Sequence, residues 1–240
     1  MLKLKAMMIL AMFVFCSTAI GEMLFVDDFE DDVIGSEPLR WDKIESTAGD
    51  SIITIEIDPT DAQNKVAKTT AIGIYLPQVA GRENWTDYVW DFDWMWENDN
   101  FVGTVYRVES GEAFFHASRR TGFVNVNIYT YDNGAWAEIT SGEYPNENNV
   151  WYSHRLIING NTHQVYLKER DDDTPFEELD PVVEAENDMF ESGPIGMMGI
   201  TSGVSYYDNM RVAETVQDLE DVTAVNADRK LAAIWGQIKK

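Results

Sequence analysis

Asp91 and Asp93 stand two residues apart in the stretch "YVWDFDWMWEND" at 88–99, and a pair of carboxyls is the basic equipment of a glycoside hydrolase. On an extended strand both point to one side, with their backbones about 6 to 7 Å apart, so the spacing alone does not exclude such a pair. The alternate positions Tyr88, Trp90, Phe92, Trp94 and Trp96 make the other face almost wholly aromatic. Left in water, those rings would expose an apolar patch on the order of several hundred Å², more than soluble monomers tolerate. Burying them contributes about 2 kcal/mol or more per ring. The aromatic face is therefore expected as core, with a sugar-stacking platform as its alternative use, and the two aspartates face away from it.

A second set lies in "FVNVNIYTY" at 123–131, where Val124, Val126 and Ile128 form the apolar side and Asn125, Asn127, Tyr129 and Tyr131 the opposite one. Amides hydrogen-bond sugar hydroxyls and phenol rings stack on pyranose faces, so this row suits a carbohydrate. It also suits an ordinary solvated strand. Arg107 and His116, on neighbouring strand segments, join this candidate ligand set. His116, His154 and His163 have no zinc-ligand spacing and are expected as surface or hydrogen-bonded strand residues. No Gly-x-Ser-x-Gly elbow and no Gly-rich phosphate loop after a strand is present.

Two further aspartates share phase with apolar neighbours: Asp27 with Phe25 and Phe29, and Asp208 with Met210 and Val212. A buried carboxylate costs several kcal/mol unless it is paired, hydrogen-bonded or metal-bound. Strand-end amides or a calcium ion, which takes Asp, Asn and backbone oxygens, would each serve.

The elements that must position these residues are short strands. "SIITIEID" ends at Asp58-Pro59, "GTVYRVES" at Ser110-Gly111, "AFFHASRR" at Thr121-Gly122 and "FVNVNIYTY" at Asp132-Asn133-Gly134, while "WYSHRLIING" and "HQVYLKE" flank another tight turn. Between residues 22 and 212 no stretch has helical periodicity. An all-β, two-sheet antiparallel sandwich follows.

The chain opens with Lys3 and Lys5, an apolar run from Ala6 to Phe15 and small residues up to Gly21, the build of a secretory signal peptide (1–21) and too short to span a bilayer. Cleavage removes Cys16, the only cysteine, so stability must come from a core. It also leaves 16 basic against 42 acidic residues, a net charge of −26, which repels nucleic acid and anionic lipid and attracts divalent cations. With 12% aromatic and 45% hydrophobic residues the chain is folded despite that charge. A sandwich domain is expected over 22–213, an acidic linker over 214–227, and a basic amphipathic tail over 228–240, where "RKLAAIWGQIKK" places Leu231, Ile234, Trp235 and Ile238 at helical spacing.

The order of "LFVDDFEDDVIGSEPLRW", "TDYVWDFDWMW", "GTVYRV", "WYSHRLIINGNTHQVYL" and "GPIGMMGITSGVSYYDNMRV" resembles the concanavalin A-like lectin/glucanase superfamily over roughly residues 24 to 213, with laminin-G-like and 3-keto-disaccharide hydrolase-associated domains as the closest subgroups. The resemblance implies a jelly roll whose concave face takes glycans, and it does not imply catalysis. Laminarinase-type members carry Glu, any residue, Asp, two residues, Glu on their acid strand; here Asp91 holds the first position and Glu97 is misplaced, so that motif is not matched. A structural calcium where first and last strands pair is common in such domains, which makes Asp27, Asp28 and Asp208 the metal candidates by resemblance. The tail is similar to C-terminal tags on exported proteins; a twelve-residue helix is marginal alone and needs a surface to order it, either the acidic face of its own domain or an external export or cell-surface component. The expectation is a secreted carbohydrate-binding domain without catalysis, its site built from Asn125, Asn127, Tyr129 and Tyr131 with Asp91, Asp93, Arg107 and His116 nearby. The rivals are a hydrolase of the 3-keto-disaccharide type and a structural cell-surface domain attached through its tail.

Overall fold

The computed structural model describes residues 22–97, 101–120, 125–145, 147–199 and 203–220. The expected leader, the end of the acidic linker and the basic tail lie outside them.

Alternating sequence produces two antiparallel sheets laid face to face. In the first, β13 (Val183–Glu186), β12 (Thr162–Glu169), β11 (Tyr152–Asn159), β6 (Tyr88–Trp96), β15 (Ser205–Ala213), β4 (Asp61–Thr69) and β3 (Ile53–Asp58) follow one another, and β1 (Met23–Asp27) pairs with the second half of β15. In the second the order is β10 (Ala135–Glu143), β9 (Asn125–Asp132), β8 (Ala113–Arg120), β7 (Phe101–Ser110), β14 (Gly196–Gly199), β5 (Gly73–Pro77) and β2 (Trp41–Ile44). This is the two-sheet jelly-roll sandwich expected from the sequence.

Tyr88, Trp90, Phe92, Trp94 and Trp96 all lie in the core, against Tyr106, Phe115, Val126 and Ile128 of the facing sheet. Asp91 and Asp93 do point the other way, yet they too are buried, because the segment around Phe176 and residues 216–220 lie over that outer face. The second sheet's outer face is also partly dry: Ile74, Leu76, Val105, Phe114, Tyr131 and Met198 form a separate apolar cluster there.

Two local devices fix register near the candidate sites. Asn133 and Gly134 both adopt positive φ (48° and 88°), the turn that joins β9 to β10 and sets Trp136 opposite Tyr131 and Glu138 opposite Tyr129. In β15, Asn209 (φ 52°) belongs to a bulge: Asp208 faces Asp93, but Arg211 is the next residue in register, opposite Asp91. The strand edge at 213 does not end the packed structure. A short helix over 216–220 follows, its first turn held by reciprocal bonds between Thr215 and Asp218, and Leu219 is buried against Val89 and Ala213.

Candidate functional site on the outer face of the second sheet

Along β8 the side chains alternate, so Phe115 and Ala117 enter the core while Phe114, His116 and Ser118 face outward. His116 lies opposite Tyr129, and Ser118 opposite Asn127. The adjoining strand adds two residues that were not on the sequence-based list, Trp136 and Glu138. Glu138 Oε2 accepts from Asn127 Nδ2 at 3.1 Å and from the Tyr129 hydroxyl at 2.8 Å. Trp136, 45% exposed, stands nearly perpendicular to His116 (centroids 5.3 Å apart) and to Tyr129 (6.3 Å). An open indole rim beside a carboxylate, an amide, a phenol and an imidazole is a surface able to stack on an apolar ring face and to exchange hydrogen bonds at its edge.

His116 is held by backbone geometry as much as by its neighbours. Its Nε2 lies where a side chain at residue 103 would be, so only glycine there lets the imidazole lie across β7. Neither ring nitrogen has a hydrogen-bond partner among the described residues. Burial depresses its pKa to about 3, so the ring is neutral at ordinary pH.

Of the row expected on β9, Asn127 and Tyr129 belong to this face and Asn125 sits at its end, half-exposed and opposite Glu143. Tyr131 does not belong to the open surface. It stacks on Phe114 at 4.9 Å and its hydroxyl meets Thr47 Oγ1 at 2.9 Å, which makes it part of the floor. Arg107 is a correction. Its backbone takes φ 45°, and its buried guanidinium donates to the carbonyls of Thr86, Phe190 and Gly160 at 2.7–3.2 Å, clamping loops at one end of the sandwich. A guanidinium committed to three carbonyls is unavailable to a ligand. The histidines were expected as surface or hydrogen-bonded strand residues; all three are buried, and His163, with Nδ1 3.0 Å from the Tyr106 hydroxyl, fits the hydrogen-bonded description, whereas His116 and His154, the latter between Phe92 and Trp94, have no hydrogen-bond partner for their ring nitrogens among the described residues.

Asp91 and Asp93 occupy the other layer, on the outer face of the first sheet, and therefore do not join the His116 face. The Asp91 carboxylate is gripped in a fork by Arg155 (Nε to Oδ1 2.8 Å, Nη2 to Oδ2 3.0 Å), with Arg211 at 3.5 Å. Asp93 accepts from Ser153 Oγ at 2.5 Å and Asn209 Nδ2 at 2.8 Å, and burial raises its pKa. Asp91 is thus paired with arginine and Asp93 hydrogen-bonded to neutral donors, so neither carboxyl of the pair that the spacing left open stands free.

The calcium candidates do not form one cage. Asp27 is buried, as its phase implied, but Trp41 Nε1 donates to its Oδ2 at 2.8 Å and the Phe29 amide to its Oδ1 at 3.2 Å. Asp28 is exposed and closes a turn onto Glu30. Asp208 lies beside Asp93 instead, receiving Asn64 Nδ2 at 2.9 Å and the Asn209 amide at 2.7 Å; burial, reinforced by Asp93, pushes its pKa up to about 7. Among the described residues no three acidic, histidine or cysteine side chains converge to hold an ion. The phase argument placed Asp208 with Met210 because it could not see the bulge between them.

No family model and no curated protein matches the chain. Its fold is nevertheless shared by solved structures. Domain 4 of AbnA, a GH43 extracellular arabinanase from Geobacillus stearothermophilus solved in complex with arabinotriose, aligns with a TM-score of 0.55 at 10% identity, over 84% of this chain and 98% of that one. The carbohydrate binding module CBM66 from Bacillus subtilis aligns with a TM-score of 0.54 at 16% identity, over 75% and 95%. The globular domain of T. cruzi calreticulin gives 0.51 at 16%, over 84% and 91%. At these identities the likeness establishes the β-sandwich and nothing finer.

Proposed function

We propose that the protein is an exported carbohydrate-binding domain of the concanavalin A-like type, and that it holds a sugar against the Trp136 face. The observation that carries this reading is the 45% exposed indole flanked by Glu138, Asn127, Tyr129 and His116. Trp136 supplies the stacking plane and Glu138 an acceptor already oriented by two donors. His116 lies beneath as a neutral partner. The arabinotriose complex of one structural neighbour and the carbohydrate-binding description of another support the ligand class. Export rests on the leader-like residues 1–21.

A glycan array read with the mature wild type, Trp136→Ala and Glu138→Gln tests the proposal. Wild-type hits that vanish in Trp136→Ala, with an unchanged circular dichroism spectrum, are the expected result. Hits that persist undiminished in both variants would remove the site from this face.

A further inference from the structure

The outer face of the first sheet carries a cleft of about 510 Å³, within the range that small ligands occupy, in the layer opposite Trp136. Its floor follows one cross-strand row, Lys168 beside Ser153 beside Asp93, with Arg170 two residues beyond Lys168 and so projecting to the same side. Phe176 forms an apolar wall.

The cleft is lined by four cations, Arg155, Lys168, Arg170 and Arg211, and four carboxyls, Asp91, Asp93, Glu177 and Glu220, but their pairing is uneven. Arg155 is consumed by Asp91 and Glu177, and Asp93 by Ser153 and Asn209. Lys168 donates to the carbonyls of Asp172 at 2.8 Å and Thr174 at 2.6 Å, which neutralise no charge, and among the described residues it has no carboxylate within 4 Å. Arg170 stacks over Trp151 at 4.7 Å; its sole ion pair among the described residues is a distant one to Asp58 at 3.9 Å, and its side chain donates no hydrogen bond to any of them. Lys168 on β12 and Arg170 just past its end thus both line the cleft incompletely neutralised. Both cations are therefore free to meet an anionic group locally, against the negative field of the chain as a whole. The neighbouring groups, Ser153 Oγ and the side-chain oxygen of Asn209, suit hydroxyls, while the Phe176 ring already carries Arg155 and Lys168 over it at 4.7 and 5.0 Å and so helps to orient the lysine.

We infer that this cleft is a second ligand site, for a saccharide bearing an anionic group, with Lys168 and Arg170 on the anion and Ser153 and Asn209 on the hydroxyls. The site is separate from the Trp136 face and stands or falls independently of it.

Isothermal titration of the mature protein with an oligogalacturonate, a sulfated oligosaccharide and a neutral oligosaccharide of matched length tests this. Saturable binding of at least one acidic saccharide is expected, weakening with added salt, reduced about tenfold or more in Lys168→Gln and in Arg170→Gln, and retained in Arg170→Lys and in Trp136→Ala. Binding of the uronate alone identifies a carboxylate ligand, binding of the sulfated sugar alone identifies a sulfate ester, and binding of both identifies an anion site selective only for charge. Melting temperatures of the variants accompany the titration; if Arg170→Gln unfolds, Lys168→Gln decides. The inference is overturned if neither acidic saccharide binds the wild type, if Lys168→Gln binds as the wild type does, or if Trp136→Ala abolishes the acidic binding.

Discussion

The indole of Trp136 stands edge-on to the imidazole of His116, with ring centroids 5.3 Å apart and planes inclined at 71°. The pair joins one ring that is about half open to water with one that is buried and has no hydrogen-bond partner among the described residues. Because burial holds the His116 pKa near 3, the charge of this ring does not change over the working range. Glycan affinity is expected to be flat between about pH 5 and 8, around the ordinary histidine range. A loss of affinity with a midpoint between about 6 and 7 would mean that the imidazole titrates in the folded protein.

Trp94 contacts Phe92, Trp96, His154 and Tyr207 in the centre of the sandwich. Trp94→Ala should cost about 3 to 5 kcal/mol in urea unfolding, and the folded fraction should bind glycan as the wild type does. A stability change below about 1 kcal/mol would contradict its place in the core.

Arg107→Ala removes the donor that three loop carbonyls share. Leaving them unmet costs about 1 to 3 kcal/mol per fully buried group. The melting temperature should drop markedly while glycan selectivity stays the same. Altered selectivity in a fully folded Arg107→Ala protein would return this residue to the binding face.

Asp208 keeps its proton up to about pH 7 in the folded protein, against 3.8 for the ordinary side chain. Between those values the folded state binds more protons than the unfolded chain. Stability contributed through this group is therefore present at low pH and lost as pH rises, by up to about 1.4 kcal/mol per unit, and levels off above pH 7. The buried histidines act in the opposite sense below about pH 6.5, but they are common to wild type and variant. Asp208→Asn should gain on the wild type from pH 5 to pH 8 in paired urea titrations. A difference independent of pH would show that the carboxyl is already ionised throughout.

The parts of this structure that were legible in the sequence are those governed by strict alternation. Trp90, Phe92 and Trp94 had to be inside and Asp91 and Asp93 opposite, and they are. What alternation could not report is where it breaks. The left-handed residue Asn209 inserts a bulge that turns Asp208 to the outer face while Met210 stays in the core, and the left-handed Arg107 redirects a guanidinium into loop carbonyls. Arginine does not announce a positive φ, and asparagine, although the side chain most tolerant of it, does not say which asparagine will adopt it. Trp136 and Glu138 were readable. The Asn133-Gly134 turn fixes the hairpin register, and counting back from it sets both residues beside Tyr131 and Tyr129. The row on β9 was followed without the strand it pairs with.

The central claim is that a sugar rests on the indole of Trp136. Its most direct test is a titration of the strongest glycan ligand into the mature wild type and Trp136→Ala, with affinity and unfolding free energy measured on the same preparations. Loss of one stacking contact is expected to weaken binding by about tenfold or more, with the protein still folded and stability lowered by about 1 to 2 kcal/mol, because the half-exposed ring also packs on Phe114, Tyr131 and His116. Equal affinity in the two folded proteins would contradict it.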